Sequence, residues 1–118
     1  RVYVRHAALS FHAFGKLAAA AMVATAHQGK TWRLLGELLR AEGLAEPAIA
    51  AALQAADVTT VVSAQEDVIA RLDEDAAMVR AYAITAVPTV FINGRRVESA
   101  GLDALLRVVD EELAMEAR

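Results

Sequence analysis

The sequence predicts an α/β or α+β layered domain, with helices packed on the faces of a small sheet. Three observations carry that prediction. The run Thr89–Ile92 is apolar on both faces, as in a strand covered by helices. Asn93-Gly94 follows directly and Arg95–Glu98 is strand-like again, the pattern of a hairpin closed by a type I′ turn with φ > 0 at both central residues. Most of the remaining chain has helical apolar spacing, so the element order reads strand, helical block, long helix, hairpin, helix.

Arg1–His6 alternates, with Val2 and Val4 on one side and Tyr3 and Arg5 on the other, and its β-branched and aromatic content predicts a short strand. An alanine-rich helix is expected from about Ala13 to Ala26, its first amides satisfied by Ser10 or His12. Gly29 interrupts the helical run. A second helix starts near Thr31, carries a leucine face of Leu34, Leu35, Leu38 and Leu39, and ends at Gly43 as a left-handed residue just past the helix. Glu46-Pro47 opens a third helix, which runs to about Ala56 with Pro47 in the first turn. Asp57–Ser63 reads either as a strand or as a loop. A long helix then covers about Ala64–Tyr82, capped by Ser63. Its apolar stripe is Ile69, Leu72, Ala76, Val79 and Ala83, and Asp67, Asp73, Glu74 and Asp75 fall on a solvated face. After the hairpin, Leu102, Leu105, Leu106, Val109 and Leu113 mark a terminal amphipathic helix capped by Ser99, with Leu105 a core residue.

Composition narrows the function classes. The chain has 118 residues, enough for one domain, and 57% are hydrophobic, so a packed core rather than disorder is expected. The net charge is −3 and only Arg95-Arg96 are adjacent basic residues, which argues against a nucleic-acid partner. No apolar stretch reaches the ~20 residues of a membrane span. No signal peptide and no initiator Met are present, and the chain opens in a strand-like run, so the sequence reads as an excised or trimmed piece of a longer polypeptide. There are no cysteines, which excludes disulfides, thiolate metal sites and cysteine nucleophiles within these residues. His6, His12 and His27 form no i, i+4 pair, and no metal site is read from them; His12 fits a helix start and His27 a helix end. No G-x-S-x-G, P-loop or G-x-G-x-x-G pattern occurs, and no cofactor is expected.

Three segments resemble the DsbA-like family of thioredoxin-fold thiol–disulfide oxidoreductases. Ser10–Trp32 (SFHAFGKLAAAAMVATAHQGKTW) is similar to the start of that family's inserted helical subdomain, where a His precedes an alanine-rich helix and a Q-G-K-x-W segment follows. Ile84–Arg95 (ITAVPTVFINGR) is similar to its cis-proline loop, strand and hairpin, and Gly101–Leu113 to its closing helix. The resemblance implies one partial thioredoxin-like domain over residues 1–118, with a helical insert at about 13–60. It implies an α/β fold from which the N-terminal strand, the Cys-x-x-Cys motif and its helix are missing. That gap implies upstream residues, a second chain forming a homo-oligomer through an unpaired sheet edge, or a rearranged sheet.

The same resemblance implies a protein or peptide substrate held by Ala86, Val87, Pro88 and Thr89. Pro88 is expected cis, and the Val87 backbone is expected to pair with an extended chain; a trans Pro88 opening a strand, with Val87 in the core, is the alternative. Export to a periplasm-like compartment is implied in the same way. Two functions stand side by side. One is a thioredoxin-like domain of a thiol–disulfide oxidoreductase whose cysteines lie upstream, and the other is a redox-inactive module that binds extended peptide or a partner subunit. In the Gln28–Trp32 segment, Trp32 is expected to anchor two helices. Arg95 and Arg96 are expected to be solvated, and so is the acidic run Asp73–Asp75.

Overall fold

A computed structural model describes residues 1–59 and 65–117. The chain divides into two compact units, Arg1–Ala83 and Ile84–Arg118.

The first unit is helical. Helices α1 (Gly15–Ala24), α2 (Thr31–Arg40), α3 (Glu46–Ala55) and α4 (Glu66–Ala81) are joined by short connections, with a 3₁₀ turn at Ala26–Gln28 after α1. Five consecutive residues of α1, Ala18 to Met22, are buried, so this helix has no solvent stripe at its middle and packs against α2, α3 and α4. Alanine makes that arrangement workable, because its small side chain lets neighbouring backbones approach closely. The core joins Ala18, Ala21 and Met22 to Leu34 of α2 and to Ile49, Ala52 and Ala56 of α3 and its end. Thr25 is fully buried at the end of α1 and donates its hydroxyl to the Met22 carbonyl, so its polarity is satisfied within the turn.

Several sequence expectations are corrected here. The predicted strand at Arg1–His6 does not form. A strand exists through its ladder, and among the described residues no other backbone pairs with this run; the His6 amide donates instead to a side chain. Neither Ser10 nor His12 caps α1, whose N-cap is Phe14 with no side-chain bond. Helix α2 stops at Arg40 with Ala41 extended, so Gly43 lies beyond the position just past the helix; the left-handed glycine that does close a helical turn is Gly29, at φ 66°. The leucine face is narrower than its spacing suggests, with Leu34 fully buried and Leu39 77% exposed. Residues 60–63 of the ambiguous Asp57–Ser63 run, and with them the proposed Ser63 cap, lie outside the described residues. Helix α4 begins at Glu66 with Gln65 as its N-cap. Its buried face is turned from the expected one: Val68 and Asp75 are buried, whereas Ile69 and Ala83 are exposed.

The second unit holds the only sheet found among the described residues. Strands β1 (Val90–Ile92) and β2 (Arg95–Val97) pair antiparallel, with Val90 opposite Val97 and Ile92 opposite Arg95. Asn93 (φ 49°) and Gly94 (φ 81°) both occupy the left-handed region, as a type I′ turn requires. Helix α5 (Leu102–Glu116) packs on both strands, with Val108 buried. Leu105 is only half-buried, and Leu102, Leu106, Val109 and Leu113 are exposed, so the covered face is rotated from the stripe read in the sequence. Gly101, not Ser99, is the N-cap; the Ser99 hydroxyl instead accepts from the Gly101 amide in the preceding turn. Arg95 is tied to the helix rather than freely solvated, its guanidinium lying 2.7 Å from Glu111.

Candidate functional site: the Ala86–Thr89 segment and the Asp75 anchor

Ala86, Val87, Pro88 and Thr89 lie between α4 and β1, inside the second unit. Ala83, at φ 49°, is a left-handed residue just past α4, and its amide bonds the Arg80 carbonyl, which closes the helix and releases the chain. Ile84 is then buried, while Ala86, Val87 and Pro88 are exposed and Thr89 is half-buried. The Val87–Pro88 peptide bond is cis. The Thr89 hydroxyl donates to the Ala86 carbonyl at 2.7 Å, spanning the proline locally. Pro88 has no amide hydrogen to offer. Among the described residues the Val87 N–H and carbonyl have no hydrogen-bond partner in the protein. The segment therefore presents a solvent-facing donor and acceptor at Val87, immediately before β1. This is what an incoming extended chain can use.

Sequence reasoning missed a second locus in the first unit. Asp75 is completely buried, although it was assigned to a solvated face. Its Oδ1 accepts from Arg5 Nη1 and its Oδ2 from the His6 backbone amide, both at 2.9 Å. Arg71, one turn earlier on α4, places Nε 3.6 Å from Oδ1. A buried carboxylate is costly unless it is paired and hydrogen-bonded, and here both conditions are met. The signal was present in the spacing: Val68, Leu72, Asp75 and Val79 recur at helical intervals and put Asp75 in phase with the core. The neighbouring acids Asp73 and Glu74 are exposed, as expected.

Burial pushes the His6 imidazole below its ordinary value of 6.5; Asp75 pulls it upward, and Arg71 and Arg5 push it further down. The folded protein thus holds His6 neutral at pH values where the unfolded chain already binds a proton. Stability should fall as pH drops below about 6.5, because protonation favours the unfolded state over that range. Urea denaturation at about pH 7.5 and about pH 5.5 checks this, with His6→Gln expected to show a weaker pH dependence than the unmodified chain. Equal pH dependence in the two proteins would rule out His6 as the titrating group.

The Gln28–Trp32 segment is placed differently from expectation. Lys30 reaches the end of α3, where Nζ donates to the Asp57 carbonyl oxygen and lies 3.1 Å from its carboxylate, joining the start of α2 to the far end of α3. Trp32 is 59% exposed, so it does not anchor two helices. No group of three or more His, Cys, Asp or Glu suited to a metal ion occurs among the described residues, and none of their helices is long and apolar enough to cross a membrane.

A family model described as Thioredoxin matches residues 2–111, so the chain belongs to the thioredoxin family. Its helices and small two-stranded sheet make up an α/β thioredoxin-like fold, the general fold type of thiol oxidoreductases. No curated protein and no solved structure matches the chain.

Proposed function

We propose that this chain is the thioredoxin-like part of a DsbA-type thiol–disulfide oxidoreductase, and that Ala86, Val87, Pro88 and Thr89 hold an extended protein substrate. The observation that carries the reading is the open backbone of Val87, exposed and without a hydrogen-bond partner among the described residues. A substrate strand laid along it gains main-chain hydrogen bonds without a demand on its sequence, which suits an enzyme acting on many proteins. The residues Arg1–Arg118 contain no thiol, so in this reading the cysteines lie in polypeptide outside them. There a thiolate attacks one sulfur of a substrate disulfide, forming a mixed disulfide and expelling the other sulfur as a thiolate, or the exchange runs in reverse. An exported, oxidising compartment fits that chemistry.

The zero cysteine count also supports a second reading, in which the fold is a redox-inactive module that binds extended peptide or a partner subunit through the same four residues. Intact mass of the polypeptide purified from its native source separates the two. Two alkylatable thiols after reduction are expected for the oxidoreductase. A polypeptide that takes up no alkylating agent would sink the enzyme reading and leave the binding module.

A further inference from the structure

We propose that Thr89 is a positioning residue, whose hydroxyl fixes the direction in which Val87 offers its backbone. The inference rests on the reading of Ala86–Thr89 as the substrate-holding segment and gives its fourth residue a role exerted through Ala86 and Val87. The Thr89 hydroxyl donates to the Ala86 carbonyl at 2.7 Å. Among the described residues this is the only hydrogen bond that joins two residues of the segment 84–89. The chain bends at Ala86, Val87 and Pro88, and no backbone–backbone bond within the segment holds the bend. All three residues are exposed, so packing restrains them weakly.

The place of this bond in the chain gives it its effect. It closes a ring that includes the peptide units on both sides of Val87. One of those units carries the Val87 N–H and the other its carbonyl, so a single hydroxyl restrains the donor and the acceptor together. Ser and Thr side chains fix turns in this way where the backbone makes no bond of its own. Pro88 cannot supply an alternative, because it has no amide hydrogen. Ordering a loop at the moment of binding weakens affinity, and a loop already held in its bound shape avoids that cost. Threonine fits the position on two counts: its branched Cβ restricts the side-chain torsion, and it suits the residue just before β1. The bond itself lies at the surface. When it is lost, water can hydrate the Ala86 carbonyl, so the fold should lose little. That separates a positioning role from a structural one.

The test compares the unmodified chain with Thr89→Val, which keeps the branched shape without the hydroxyl, and with Thr89→Ser, which keeps the hydroxyl. The probe is a short acetylated and amidated peptide alternating threonine with valine, titrated while the Val87 amide is followed by NMR. Thr89→Val should bind about three- to tenfold more weakly, the effect of one hydrogen bond, with its denaturant midpoint unchanged. In the free Thr89→Val chain the order parameter of the Val87 amide should fall, a change that loss of a direct contact between Thr89 and the peptide would not produce. Thr89→Ser should match the unmodified chain in both respects. Equal affinity of Thr89→Val and the unmodified chain, or an unaltered Val87 order parameter, would overturn this inference alone. An affinity loss that Thr89→Ser shares would also overturn it, since the shape of threonine and not its hydroxyl would then matter. An unmodified chain that binds no peptide would instead remove the Ala86–Thr89 reading, and this inference with it.

Discussion

Asp75→Ala should lower the unfolding free energy by about 2–4 kcal/mol, the largest effect expected of any acidic residue in the chain. The substitution strands the His6 amide, whose hydrogen bond to a charged acceptor is worth about 1.5–3 kcal/mol. It also removes the partner of Arg5, whose side chain is 40% exposed and can turn to water, so that bond adds only about 0–1 kcal/mol. Asp75→Asn keeps one acceptor and the side-chain volume and should lose less. Asp73→Ala, two residues away but exposed, should stay within about 0.5 kcal/mol of the unmodified chain. Denaturant midpoints of the three variants check this. Equal midpoints for Asp75→Ala and Asp73→Ala would mean that the N-terminal run is not held by α4.

Leu34→Ala should cost about 2–5 kcal/mol, since Leu34 is fully buried where α1, α2 and α3 meet and its removal leaves a cavity. Met22 and Ile49 share this core with Ala18, Ala21, Ala52 and Ala56, and how far they relax into the gap sets where in the range the value falls. Leu39→Ala, on the same helix, should change stability by no more than about 0.5 kcal/mol. Chemical denaturation of both variants decides it. A small loss at Leu34 would show that the core between α1, α2 and α3 is looser than its packing implies.

The two leucines illustrate what was legible in the sequence. Helical spacing located α2 and its apolar side but not which leucine sits deepest, because that depends on where α1 and α3 lie. The hairpin was read almost to the residue, since Asn93-Gly94 demands its backbone geometry locally, whatever surrounds it. Arg1–His6 was misread because strand propensity is a preference for a pleated, paired environment, and no pairing backbone is found for it among the described residues. Asp75 was misread because an acid is assigned to solvent by type. Only the approach of Arg5 and the His6 amide, about seventy positions away in sequence, makes its burial tolerable. In α5 the apolar residues outnumber the positions that two short strands can cover, so the periodicity alone did not select the Val108 face. Of the candidate site, the four residues Ala86–Thr89 were legible by resemblance. The open Val87 backbone was not, because a missing hydrogen bond is a property of the fold and not of a residue type.

The central claim is that Val87 offers its backbone to an extended chain, and amide hydrogen exchange at Val87 tests it most directly. In the free chain this amide should exchange rapidly, since it is exposed and has no hydrogen-bond partner among the described residues. A saturating unfolded substrate peptide should slow it markedly while the amide of exposed Asp73 is unchanged. A Val87 amide already protected in the free chain, or one that a bound peptide leaves unaltered, would contradict the account.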